Sequence, residues 1–230
     1  VSLGAQSACD DELHFLGRIH SHGSTVRAAK LCRQAGFTNI GLDLIFSIPG
    51  QTMCTLAQTL EAFISLQPKH ISAYALTAEQ GTPYYSQVEH GLVRETDEET
   101  GNDFFLQVHD TLCKAGFSHY EISNYAQPGF ESRHNQNYWQ EGDYLGLGPS
   151  AHSKFERRRF WHLPSLHHYL EKDQKNDFLA DGEEILENDQ ILEELILLGL
   201  RTKSGIKLSR FSEKQQKKLL ETVKKLNIYR

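Results

Sequence analysis

The chain has 230 residues, enough for one large domain or two modest ones with a sizeable core. Its formal net charge is −6, whereas proteins that bind nucleic acid need a basic surface. We therefore expect no nucleic-acid partner. Apolar residues make up 39% of the sequence, but no apolar stretch approaches the length of a membrane span, which is roughly 18 residues.

The first third of the chain alternates between strand-like and helix-like patterns. Apolar runs predict strands at 1–6, 39–48 and 70–77. Their near-continuous apolar character is typical of strands buried on both faces of a parallel sheet. Between them the sequence predicts helices at 24–35 and 55–66, the second starting with the capping pattern Thr55-x-x-Gln58. Since the first strand begins at Val1 without a methionine, we expect the chain to start inside a structural element.

The same alternation returns later in the chain. Thr96-x-x-Glu99 predicts the start of a helix, and a strand follows at 118–123. This alternation indicates an α/β sheet or barrel. The strand–helix units are too few to close an eight-stranded barrel. Amphipathic patterns predict three further helices, at 165–172, 189–200 and 212–226. We therefore expect a partial barrel at 1–160 and a C-terminal helical domain at 161–230. One interpretation of the last helix is that this domain is cut short at its C-terminal end.

Polar residues at strand ends are the first candidates for a functional site, because functional groups of parallel barrels gather there. Gln6 and Ser7 lie at such an end. Asp43 lies inside an apolar strand, where a carboxylate is costly unless it is paired or hydrogen-bonded. It is either a structural residue with a backbone or arginine partner, or a contact for sugar hydroxyls. Arg18 follows a helical turn, a position that by itself is typical of a surface arginine.

A glycine-rich segment, 146–151, matches the dinucleotide fingerprint G-x-G-x-x-A. That fingerprint should open an apolar helix, whereas 152–159 is a poor core helix. We therefore predict a strand-end loop whose backbone approaches a different ligand.

Histidines and cysteines offer few metal-site candidates. The four cysteines have no metal or disulfide spacing, which favours a reducing compartment. Most of the twelve histidines lack partners at ligand spacing, so we predict no metal site among them. His134 differs, because the sequence His-Asn-Gln-Asn-Tyr-Trp sets its imidazole among amides and large aromatic rings. It is either an axial haem ligand or part of a packed loop.

Seven segments in the same order resemble one family. They are 1–7, 16–20, 42–52, 70–76, 120–126, 134–139 and 145–153. The chain resembles the HemW family, the radical S-adenosylmethionine (SAM) haem chaperones related to oxygen-independent coproporphyrinogen III oxidase. The His-Asn-x-x-Tyr-Trp element at 134–139 favours the HemW branch over the oxidase.

The resemblance implies a partial TIM-like (β/α)6 radical SAM barrel, of which this chain would hold the last three strands, followed by a HemN-type helical domain. The SAM-contacting positions that the family motifs imply are Gln6, Arg18, Asp43, Ile45, Thr77 and His152. Asp43 would face the ribose hydroxyls. His134 falls in the motif associated with haem handling.

The resemblance also implies a [4Fe-4S] cluster held by a Cys-x-x-x-Cys-x-x-Cys loop, and that spacing is absent here. We therefore expect an N-terminally truncated chain with half a SAM pocket and no cluster.

Three functions follow from the resemblance: a haem chaperone that serves a haem-accepting protein, a coproporphyrinogen III oxidase, or a non-catalytic fragment. Whether the chain is an enzyme stays open at this point. The expected location is the bacterial cytoplasm, or the mitochondrial matrix in a eukaryote, with membrane contact only through a haem acceptor.

Overall fold

The computed structural model describes residues 1–174 and 180–225. The chain divides into two compact units, Val1–Glu131 and Ser132–Arg230. The domain boundary expected at 160 stays a prediction.

A five-stranded mixed sheet forms the centre of the first unit. Its strands are β1 (Ser2–Gln6), β2 (Gly41–Phe46), β3 (His70–Ala75), β4 (Ser118–Glu121) and β5 (Asn124–Ala126). The order is β1-β2-β3-β5-β4; β1, β2 and β3 are parallel, whereas β5 runs antiparallel to both β3 and β4. The α/β class is thus confirmed. The sheet is open and mixed, so the partial barrel remains an implication of the family.

Five helices accompany this sheet. They are α1 (Asp10–Phe15), α2 (His22–Gln34), α3 (Met53–Ser65), α4 (Pro83–Glu89) and α5 (Glu98–Lys114). The predicted caps of α3 and α5 were wrong. Thr52 caps α3, because its hydroxyl accepts the Thr55 N–H at 3.1 Å. Asp97 caps α5 by accepting the Thr100 N–H at 2.9 Å, while the Thr96 hydroxyl donates to the Ser47 carbonyl oxygen at 3.0 Å.

The two faces of the sheet differ in character. Leu42, Leu44 and Phe46 of β2 are buried in a core that includes apolar side chains of α3 and α5. Successive strand residues point to opposite faces, so Asp43 and Ile45 lie on the other face, where they are half-buried. We call that side the polar face: in register on β3 it carries His70, Ser72 and Tyr74. The expectation of apolar burial on both faces was therefore wrong for these strands.

The second unit contains a three-stranded antiparallel sheet and four α-helices within its described part. The strands are β6 (His152–Phe155), β7 (Arg158–Trp161) and β8 (Gly182–Ile185), in that order. The helices are α6 (Arg133–Trp139), α7 (Leu166–Gln174), α8 (Asn188–Leu200) and α9 (Glu213–Lys225). The three predicted helices are confirmed to within two residues at each described end, whereas the sheet was not predicted. Residue 226, the predicted end of the last helix, lies outside the described residues.

Within 1–174 and 180–225, no helix is both long enough and apolar enough to span a bilayer.

Candidate functional site

Gln6 ends β1 at the carboxyl edge of the parallel strands. Its backbone has the left-handed φ of 63°, which is unusual for a residue other than glycine. The side chain folds back over Gly4, since a Cβ atom at Gly4 would lie 2.9 Å from Gln6 Nε2. Gly4 therefore allows the close approach that keeps the Gln6 amide at this edge.

Asp43 and Ile45 lie two residues apart on the polar face of β2. The Ser2 hydroxyl donates to Asp43 Oδ1 at 3.1 Å. Among the described residues this is the only hydrogen bond of the carboxylate, and neither a backbone group nor an arginine pairs with it. Asp43 Oδ2 can therefore accept hydrogen bonds from a ligand that reaches this face.

The other two candidates of the first unit lie in loops. Thr77 follows β3 and is exposed, at the same carboxyl edge as Gln6. Arg18 lies in the exposed loop between α1 and α2, where its N–H donates to the Leu13 carbonyl oxygen at 2.9 Å. Three adjacent strands thus bring four of the candidates to one edge and one face: Gln6, Asp43, Ile45 and Thr77. Arg18 lies in the loop that follows α1.

A buried polar network supports the β1 edge directly after Gln6. Glu12 is only 7% exposed. Its Oε2 accepts the Ser7 hydroxyl at 2.5 Å and the Gln51 amide at 3.1 Å. The Thr59 hydroxyl accepts the Ala8 N–H at 3.2 Å. Glu12 Oε1 has no partner among the described residues, so this carboxylate is only partly satisfied.

A histidine–tyrosine pair was also missed by the sequence analysis. His70 Nε2 and the Tyr120 hydroxyl share a hydrogen bond of 2.8 Å. Burial lowers the pKa of His70, although the carboxylates of Asp43 and Glu131 oppose that shift. The lowered pKa favours the neutral form of the imidazole. The pair links two distant strands, and no local sequence pattern connects them.

The remaining candidates, His134 and His152, lie in the second unit. His134 is exposed on α6, with its ring centre 4.9 Å from that of Tyr138. His152 is exposed at the start of β6, where it stacks on Trp161 of β7 with the ring centres 5.8 Å apart. Both imidazoles are accessible to a ligand.

The thiols and other metal-binding groups do not gather in one place. Cys9, Cys32, Cys54 and Cys113 are all free and lie on four different helices or helix ends. In the part of the chain that the structure describes, no group of three or more His, Cys, Asp or Glu side chains could hold a metal ion. The thiols present therefore do not fit a [4Fe-4S] cluster, which needs several thiolates together.

Comparison with known proteins identifies the family. Residues 186–229 match the model of the HemN C-terminal domain. The heme chaperone HemW of Lactococcus lactis is 36% identical over 214 residues, which cover 93% of this chain and 56% of that protein. The HemW of Bacillus subtilis is 34% identical over 220 residues, covering 95% of this chain and 58% of that protein. This chain belongs to the HemW family.

The assignment confirms the resemblance drawn from the motifs. The chain spans a little more than half the length of these HemW relatives. A solved structure of coproporphyrinogen III oxidase (HemN) from Escherichia coli, a radical SAM enzyme, matches with a TM-score of 0.73. It covers 87% of this chain and 49% of that one at 19% identity, so it supports the fold alone.

Proposed function

We propose that this chain is part of a HemW-type haem chaperone, in which it binds haem and supplies one wall of a SAM pocket. The supporting observation is the identity of 34–36% with HemW heme chaperones over 93–95% of the chain. The oxidase alternative has in its favour a shared fold and the match of residues 186–229 to the HemN C-terminal domain.

The wall of the SAM pocket would combine the edge and face described above. Asp43 Oδ2 is free to accept ribose hydroxyls, and hydrogen bonds to a charged carboxylate are the stronger ones. The Gln6 amide and the Arg18 guanidinium would add polar contacts, and Ile45 an apolar one. SAM supplies radical chemistry only together with a cluster. Because the thiols of this chain do not fit a cluster, we derive no step through it.

Haem would bind in the second unit through His134. Its imidazole is exposed and stands beside the Tyr138 ring, so an iron could reach a ring nitrogen. The partner that this function requires is a haem-accepting protein. The proposed location is the cytoplasm, or the mitochondrial matrix in a eukaryote.

Titration of the chain with hemin tests this proposal. The wild type should develop a Soret band of bound haem, and His134→Ala should weaken the affinity by about tenfold or more because the axial ligand is lost. His167→Ala is the matched control, since its imidazole is 85% exposed on a helix of the same unit. A wild type without a bound-haem band, or a His134→Ala variant with unchanged affinity, would contradict the proposal.

A further inference from the structure

An exposed thiol of the first unit lies beside two contacting histidines. Cys113 and His109 are four residues apart on α5, so their side chains share one face of the helix. The Cys113 Sγ atom lies 3.9 Å from each ring nitrogen of His109. His109 Nδ1 in turn lies 3.0 Å from Nδ1 of His119 on β4. We call Cys113, His109 and His119 the thiol–histidine cluster.

The hydrogen bonds of His119 determine which nitrogen of each ring carries a proton. A carbonyl oxygen can only accept, so His119 Nε2, which lies 3.1 Å from the Ile122 carbonyl oxygen, is protonated. Burial lowers the pKa of His119, although this hydrogen bond opposes the shift, and the lowered pKa favours a neutral ring. The Nδ1 atom of a neutral His119 then accepts the hydrogen bond from His109 Nδ1. This leaves a lone pair on His109 Nε2, which can take the proton of the Cys113 thiol.

A buried tyrosine adds an unused hydrogen-bond donor to the cluster. Tyr125 is 1% exposed, and its hydroxyl has no partner among the described residues. Its ring stacks on that of His119 with the ring centres 4.2 Å apart. Burial raises the pKa of Tyr125 and the charge of a Cys113 thiolate adds to the shift, so the phenol keeps its proton. A buried donor without a partner is costly, and an acceptor brought by a ligand would satisfy it.

A thiol, a base and an unused donor together suit one chemical step, thiol–disulfide exchange. The thiolate is the nucleophile of that reaction, and an imidazole that takes the thiol proton makes it available. We propose that Cys113 is a modification site that exchanges with low-molecular-weight disulfides, with His109 as its base and His119 as the residue that positions His109. The Sγ contact of 3.9 Å is long for a hydrogen bond, as proton-transfer contacts often are before a ligand binds.

The exchange joins Cys113 to one half of the disulfide. His109 Nε2 takes the thiol proton, and the Cys113 sulfur attacks one sulfur of the disulfide to form a new S–S bond. The original S–S bond breaks, and the departing thiolate takes up the proton that His109 holds. Cys113 is thereby oxidised to a mixed disulfide, while the other half of the disulfide is reduced to a thiol. The inference is independent of haem and SAM, since none of these residues belongs to the surfaces proposed for them.

Cys54 provides a control thiol inside the same chain. It is also exposed, and among the described residues its hydrogen-bond partner is the Gln58 amide, at 3.7 Å, rather than an imidazole. At pH 7, oxidised glutathione should form a mixed disulfide on Cys113 about tenfold faster than on Cys54. Mass spectrometry of peptides from samples quenched over time measures both rates in one reaction.

Three variants test the two histidines. His109→Asn keeps an amide that can donate to His119 but has no basic nitrogen, so the Cys113 rate should fall to about that of Cys54. His119→Leu should lower the Cys113 rate in the same way, because His109 loses the acceptor that fixes its proton. His119→Asn retains an acceptor and should keep most of the rate. The Cys54 rate should stay at the wild-type value in each variant, which verifies that the fold is unchanged.

The wild type alone can overturn the proposal, since equal rates at Cys113 and Cys54 would show that the histidines do not activate the thiol. An unchanged Cys113 rate in His109→Asn would remove His109 as the base and overturn it as well. If His119→Asn were as slow as His119→Leu, the positioning role of His119 would be wrong.

Discussion

Asp43 is a carboxylate with one accepted hydrogen bond and one free oxygen on a half-buried face. A partly buried charge is expensive when its acceptors are unused. A structural aspartate would normally be paired by a cation or by several donors, whereas the Ser2 hydroxyl is the one hydrogen-bond donor to Asp43 among the described residues. The arrangement is therefore better suited to a ligand than to holding the sheet together.

If Asp43 accepts ribose hydroxyls, Asp43→Asn should weaken SAM binding to the chain by about tenfold, because charge-assisted hydrogen bonds become neutral ones. Isothermal titration calorimetry with SAM measures this change. Asp110→Asn is the control, since Asp110 is exposed on α5. Equal SAM affinities for wild type and Asp43→Asn would remove Asp43 from the pocket, and a wild type that binds no SAM would rule out the proposed wall.

Single residues also show which parts of the site the sequence could predict. Asp43 stood out because a carboxylate within an apolar strand is an anomaly that the sequence displays directly. Glu12 follows Asp10 and Asp11 in the first turn of α1, a run that is typical of a solvated helix start. Its burial depends on Gln51 and Ser7, which approach it only in the folded chain. Local pattern carries no information about that contact.

Among the elements, α3 shows how closely spaced capping signals compete. The sequence contains Thr52, Thr55 and Gln58 at intervals of three, so two capping boxes are available. The helix begins at Met53, two residues earlier than predicted, because Thr52 and Thr55 satisfy each other's backbone N–H groups at 3.1 Å.

Thr52→Ala should therefore lower the free energy of unfolding by about 1 kcal/mol, the usual cost of losing an N-cap. Gln58→Ala is a direct control, because Gln58 is exposed in the interior of α3, where its amide donates only a long hydrogen bond of 3.7 Å to Cys54 Sγ. Urea unfolding followed by far-UV circular dichroism measures both variants. A larger loss for Gln58→Ala than for Thr52→Ala would contradict the observed helix start.

The strands that were missed have a common cause. β6, β7 and β8 are four residues each, and β7 and β8 contain arginines and glutamates that pair across the strands, such as Arg158 with Glu183 at 2.6 Å. Short charged strands give no apolar periodicity, so the prediction followed the helices on either side. The single strand predicted at 118–123 is in fact one arm and the turn of a hairpin formed by β4 and β5. The turn at Ile122 and Ser123 lacks the glycine or proline that would have indicated it.

At the scale of the whole molecule, the two units can be observed separately. The chain has two tryptophans, Trp139 and Trp161, and both lie in the second unit. Indole fluorescence therefore follows the unfolding of that unit, whereas far-UV circular dichroism reports the helices and strands of both. Unfolding that is confined to the second unit should therefore change the fluorescence signal fully and the circular dichroism signal only in part.

Asp181 makes the second unit sensitive to acid. Three groups donate hydrogen bonds to its carboxylate: Lys172 Nζ at 2.9 Å, His168 Nε2 at 2.8 Å and the Leu163 N–H at 2.9 Å. The Lys172 and His168 hydrogen bonds hold the pKa of Asp181 well below its usual value. At acid pH the unfolded chain therefore binds more protons at this position than the folded chain does. The stability that Asp181 contributes is complete above the unfolded pKa, about 4, and is lost as the pH falls toward the folded value.

Asp181→Asn should lower the stability of the second unit at pH 7 and flatten its dependence on pH between about 5 and 3, because the variant has no carboxylate to protonate at this position. Urea unfolding followed by tryptophan fluorescence at a series of pH values measures that slope. Glu193→Gln, an exposed position on α8, should keep the wild-type slope. If Asp181→Asn also kept it, the acid sensitivity of this unit would have to arise from other carboxylates. The circular dichroism of the same samples separates such an effect from unfolding of the first unit, since neither tryptophan lies there.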